Sequence, residues 1–110
     1  MSITVDIEEL PAVLGELDRA AFVCTAGRTG GPKVVHALLD VSAVGLTATV
    51  GRGTVANVGD GAAVTLVIPG STPHEMSLLI DADAEPDGDT GLVLHPSAAV
   101  WHRSAHGAEQ

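Results

Sequence analysis

Apolar positions change period several times along this chain, and each change marks an element. Ile7, Leu10, Leu14 and Leu17 recur at spacings of three and four, the stripe of an amphipathic helix. Pro11 is tolerated only in a first turn, so the spacing predicts a firm helix over about residues 11–18. Ala20-Ala21-Phe22-Val23-Cys24-Thr25-Ala26 is too apolar for a sheet edge and reads as a buried strand. Thr29-Gly30-Gly31-Pro32 supplies a hairpin turn, and Lys33 to Val41 returns as a second strand. Val44-Gly45 turns the chain again. Leu46 to Val50 then alternates, so Thr47 and Thr49 share one strand face and Leu46, Ala48 and Val50 the other.

Past the corner Gly51-Arg52-Gly53, Thr54 is expected to N-cap a short helix ending near Gly59 or Gly61. Ala62 to Ile68 is the next strand, and Pro69-Gly70-Ser71-Thr72-Pro73 an exposed loop. Met76 to Glu85 reads as a long strand in which Asp81, Asp83 and Glu85 alternate with Ala82 and Ala84, giving one solvated face. Asp87-Gly88-Asp89 is a turn. Gly91 to Arg103 is expected to finish with one or two strands broken near Pro96, and Ser104 to Gln110 to be a loose tail. Many short strands with closely spaced turn signals favour an antiparallel barrel over a βαβ design. No internal repeat or domain boundary interrupts residues 1–110, which read as one domain.

Composition narrows the chemistry. Of the residues, 45% are hydrophobic and only 2% aromatic, so the core must be built from Val, Leu, Ile and Ala. A planar ligand would find few stacking platforms in one subunit, which points to a pocket shared with a second copy. The formal charge of −9 argues against nucleic acid and anionic membranes, which both need clustered cations. The basic side chains are Arg19, Arg28, Lys33, Arg52 and Arg103, scattered along the chain. A bound phosphate must therefore rely on backbone donors and one or two of these. Cys24 lies in an apolar run and reads as an inert buried thiol. No Cys/His spacing suggests zinc. The N-terminus lacks the basic and apolar regions of a secretory signal, so a cytoplasmic protein is the expectation.

The sharpest feature is Gly51-Arg52-Gly53-Thr54-Val55-Ala56-Asn57-Val58 leading into Ala63-Val64-Thr65-Leu66. Amide groups at a helix start, joined by a guanidinium, make a ready anion site. Preceded by Ala21-Phe22-Val23-Cys24-Thr25 and Lys33-Val34-Val35-His36, and followed by Pro96-Ser97-Ala98-Ala99-Val100-Trp101-His102-Arg103, this segment resembles the pyridoxamine 5′-phosphate oxidase-like, FMN-binding split-barrel superfamily. The likeness is to its short actinobacterial-type members and covers about residues 10 to 103. It implies a mostly β fold: a six-stranded antiparallel split barrel with an N-terminal helix and a short helix after the third strand. It further implies a homodimer with an FMN cleft at the interface. The phosphate would lie at Arg52, Gly53 and Thr54, and the ring near Val35, His36, Thr47, Thr49 and Val50. Trp101, His102 and Arg103 would reach the partner's site. Members of the family often carry a lysine in the helix turn, where this chain has Val55 and Ala56. Lys33 and Arg28 could supply that charge only if the hairpin folds back over the corner.

The activity so implied is flavin-dependent oxidoreduction or flavin reduction on a small molecule, with the flavin carrying the hydride chemistry and no catalytic residue assigned. Basic residues are too few for a second phosphate pocket, so pyridoxine phosphate is not the expected substrate. Deazaflavin F420 and haem stand behind FMN. The alternatives are a non-catalytic dimeric binding protein for flavin, haem or another planar ligand, and a ligand-free dimer. Blander readings compete at single residues. Thr54 can be only a cap, Arg52 a surface ion-pair partner, and His36 a core or interface residue. Asn57 reads as a structural tie to a neighbouring strand ahead of a ligand. Trp101 and Arg103 suit a dimer seam as well as a flavin, and His74, His95 and His106 are expected to face solvent.

Overall fold

Hydrogen bonding along seven antiparallel strands organises the chain in a computed structural model that describes residues 2–16, 20–26, 31–42, 45–59, 61, 63–70 and 75–103. In chain order these are β1 (Ser2–Val5), a 3-10 turn (Ile7–Glu9), α1 (Leu10–Glu16), β2 (Ala20–Ala26), β3 (Pro32–Ser42) and β4 (Gly45–Thr49). Then follow α2 (Arg52–Gly59), β5 (Ala63–Ile68), β6 (Ser77–Asp87) and β7 (Gly91–His102). The sheet order is β1-β7-β4-β3-β2-β5-β6, and β6 pairs back onto β7. That last pairing closes a six-stranded antiparallel barrel, with β1 as an extra strand on β7. The mostly β barrel with two short helices matches the fold expected from the sequence.

Alternation sets the inside. Ala21, Val23, Ala37, Leu39, Leu46, Ala48, Val64, Leu66, Leu78, Ile80, Leu92 and Leu94 are all buried and form one aliphatic core. A barrel of this strand number has an interior just wide enough for such side chains, which is why a chain nearly without aromatics can fill it. Asp81, Asp83 and Glu85 alternate outward from β6 and are exposed.

Four local expectations are corrected. The stretch Ser2–Val5, unassigned in the sequence reading, is a strand, because Val5 finds a buried row with Ala99 and Ile80. Thr54 does not cap α2. The helix begins at Arg52, the Val55 amide donates to the Gly51 carbonyl at 3.1 Å, and Thr54 is buried two residues into the helix. Its methyl and hydroxyl are drawn inward by the barrel end the helix covers, so glycine is left at the cap. Cys24 is half-buried on the outer face of β2. Finally, β7 is not broken at Pro96. A bulge lets Asp81 pair with Ala98 and Ala82 with Pro96, leaving Ser97 as the extra residue. The Ser97 hydroxyl donates to the Asp81 carbonyl at 3.2 Å.

Pro96 survives within a strand because of where β7 changes neighbours. On one edge β6 accompanies it throughout. On the other, β4 pairs with Gly91 to Leu94 and β1 with Ala99 to His102. Positions 95–98 have a strand neighbour on one edge only and include the bulge, the kind of place where a strand tolerates proline. The 3-10 turn and α1 cover this side of the barrel with Leu10 and Leu14, both buried. The β6–β7 hairpin depends on two glycines. Gly88 has φ of 71°, and a β-carbon at Gly91 would lie 2.5 Å from the Asp87 carbonyl oxygen. Leu17, the turn residues Thr29 and Gly30, Val44, the loop residues 71–74 and the tail Ser104 to Gln110, for which the sequence also sets expectations, lie outside the described residues. No helix among the described residues is long and apolar enough to cross a membrane.

Because Leu92 is wholly buried beside the β6–β7 closure, Leu92→Ala is expected to destabilise the fold by about 2–5 kcal/mol. Urea unfolding followed by far-ultraviolet circular dichroism measures it.

Candidate functional site

The corner between β4 and α2 lies at one end of the barrel. β4 runs from its hairpin with β3 toward this end, and α2 then packs against β2 and β6. The Asn57 amide donates to the Thr25 hydroxyl of β2 at 3.1 Å, fixing the helix to the barrel wall. Asn57 is therefore the structural tie its position suggested. With Val55 making the first helical bond, the amides of Arg52, Gly53 and Thr54 form the open N-terminal end of α2.

A second cation reaches this end from another strand. β3 continues past its last pair with β4, Leu39 with Ala48, and runs beside the corner toward Pro32. Lys33 lies on that extension, and its ammonium sits so close to Gly53 that a β-carbon there would lie 2.7 Å from Nζ. Glycine at position 53 has no side chain to meet the lysine, and β3 brings that charge to the first turn of α2. Among the described residues neither Lys33 nor Arg52 makes an ion pair, although the chain carries 14 acidic residues. Arg28 and Arg19 lie outside the described residues.

The other expected site residues divide by face. His36, Thr47 and Thr49 point outward, with His36 and Thr49 exposed and Thr47 half-buried. Val50 is buried and Val35 half-buried against the core, so these two side chains support the site from behind. Imidazole and phenyl rings of His36 and Phe22 stack across β2 and β3 at 5.0 Å with 28° between planes, so His36 is a surface residue and not a core one. Trp101, His102 and Arg103 fall at the opposite barrel end. β7 starts beside Thr49 and finishes beside Ser77, Leu78 and β1, away from α2. Within one chain the structure does not bring Trp101, His102 and Arg103 to Arg52. Trp101 packs half-buried against the core between Leu78 and Ile3, and His102 lies exposed opposite Ser2.

Around these residues the outer face is apolar. Leu38 is 69% exposed and Val34 61%, and Phe22 39%. Registered rows extend the face: His36, Phe22, Val67, Leu79 and Val100 lie side by side across five strands. Nothing in the sequence pattern distinguishes this face from the core face, since both are rich in Val, Leu and Ala. Of the expected solvent-facing histidines, His95 is exposed and bonded to Glu85 at 3.0 Å, while His74 and His106 lie outside the described residues. No family model matches the chain, and neither the curated proteins nor the solved structures yield a match.

The Asn57–Thr25 bond spans two elements and leaves a buried hydroxyl behind when broken. Asn57→Ala is expected to cost about 1–2 kcal/mol, and hydrogen exchange is expected to speed up first in α2.

Proposed function

We propose that the protein binds FMN, the phosphate resting on the start of α2 between Lys33 and Arg52, and that it is a flavin-dependent oxidoreductase or flavin reductase of the split-barrel kind. The observation that carries this reading is the pair of cations, unpaired among the described residues, at an open helix end in a strongly acidic chain. Two positive side chains and three amides match the doubly charged, oxygen-rich end of a flavin nucleotide in donor number and in sign. The donor set therefore fits the group. FMN would supply the hydride chemistry, and the chain would hold, orient and shield it.

A second copy completes this reading. The outer face of β2, β3, β5 and β6 spans roughly 600 Å² from strand lengths and spacings, the order of the ~800 Å² per partner in stable complexes. Its centre is the apolar patch of Phe22, Val34 and Leu38, with Asp40 and the outward acids of β6 at its margins, so a second copy would seat on the patch and leave these carboxylates at the rim. A two-fold axis lying in this face and crossing the strands would set opposite barrel ends together. Trp101, His102 and Arg103 of the partner subunit would then border the cleft edged by His36, Thr47 and Thr49. The substrate is a small molecule entering that cleft, and the setting is cytoplasmic.

Purified protein titrated with FMN is expected to quench flavin fluorescence with one FMN per chain. Arg52→Ala and Lys33→Ala should each weaken binding by about ten- to a hundredfold, as loss of a charge-assisted bond requires. A protein that leaves added FMN fluorescence unchanged refutes the assignment. Sedimentation is expected to give a dimer that Leu38→Asp separates into folded monomers, whereas a wild-type monomer would remove the shared cleft.

A further inference from the structure

A second concavity lies away from the Arg52 corner, at the gap where β4 leaves β7 and β1 has not yet joined it. Its volume is about 380 Å³, within the range of small-molecule sites. Ile7, Leu10, Pro11 and Leu14 form one wall, and Val41, Leu46, Leu94 and Pro96 form much of the other. The space exists for a topological reason. α1 must cover the stretch of β7 that has lost one strand neighbour, and a helix cannot fill a strand-shaped gap completely.

The polar surroundings of this pocket are one-sided. Among the described residues His95 is the one ionisable side chain lining it, and its Nε2 is bonded to Glu85. The turn that contributes Ile7 and Leu10 also carries the exposed carboxylates of Asp6, Glu8 and Glu9. Among the described residues of the lining elements the single lysine or arginine is Lys33, at the far end of β3 over Gly53. Opposite charge near a desolvated wall attracts, and like charge is excluded.

We infer that this pocket is a binding site for a small apolar molecule carrying a cationic head, the tail lying between α1 and β7 and the head near the Glu85–His95 pair and the acidic turn. A carboxylate or phosphate head would face the exposed carboxylates of Glu85 and the acidic turn, with His95 already engaged by Glu85. The site is separate from the flavin corner, and its test uses no flavin, so either proposal can fail alone.

The experiment compares octylamine, octanol and octanoate, which share a tail and differ in head, by thermal shift and methyl NMR titration of the full chain. Octylamine is expected to raise the unfolding midpoint and to bind about tenfold tighter than octanoate, with octanol between them. Methyl shifts should centre on Ile7, Leu10, Leu14, Leu46 and Leu94. Ile7→Trp fills the pocket and should reduce octylamine affinity more than about tenfold; if that variant does not fold, the shift map of the wild type decides. Absence of binding at saturation overturns the inference, as does octanoate or octanol binding as tightly as octylamine. So does a shift map centred on Phe22, Val34 and Leu38.

Discussion

Closure of β6 onto β7 is the constraint from which the rest follows. The two strands form a hairpin of eleven registered pairs, and without it the sheet would end in two long bare edges. Once closed, the barrel forces every strand to alternate between a dry, narrow interior and an outer face. Aliphatic residues of moderate size satisfy the interior, so the near absence of aromatics is compatible with a filled core. The bulge at Ser97 belongs to the same constraint. It absorbs one residue where β7 exchanges β4 for β1, and it places Pro96 beside an irregularity of the ladder.

Closure also sorts the charge. Acids gather on the outward positions of β6, in the turn before α1 and around the β6–β7 hairpin, all of them exposed. The outer face of β2 and β3 stays apolar. Between these regions, the Lys33 ammonium lies over Gly53 beside Arg52, the first residue of α2, at the barrel end that α2 covers. A flexible corner, an open helix end and two cations from separate elements are the ingredients of an oxyanion cradle. Asn57, bound to Thr25, keeps the helix that carries it from drifting.

The two concavities differ in kind. The corner pairs the open start of α2 with the Lys33 ammonium beside Gly53, the donor set on which the proposed flavin site rests. The pocket under α1 is lined mostly by apolar side chains of α1, β3, β4 and β7, and the turn before α1 carries exposed acids.

How much of this was legible depends on range along the chain. Alternation in Leu46 to Val50 and in Asp81 to Glu85, the helical stripe at Leu10 and Leu14, and the glycine corner at 51–53 are local patterns, and each gave its element close to the observed bounds. Asn57 could be read because an amide in a short surface helix needs a nearby partner. The strand at Ser2–Val5 could not, since four residues gain strand structure only from the β7 edge they join. Thr54 was misread as a cap because the buried barrel end that claims it is built from other strands. Periodicity therefore determined the elements, the aliphatic core and the barrel class. Tertiary structure alone decided that Lys33 lies over Gly53, that Phe22 and Leu38 face outward, and that Trp101 stands at the end opposite Arg52. Those facts depend on register between strands distant in sequence, which closure fixes and local spacing does not encode.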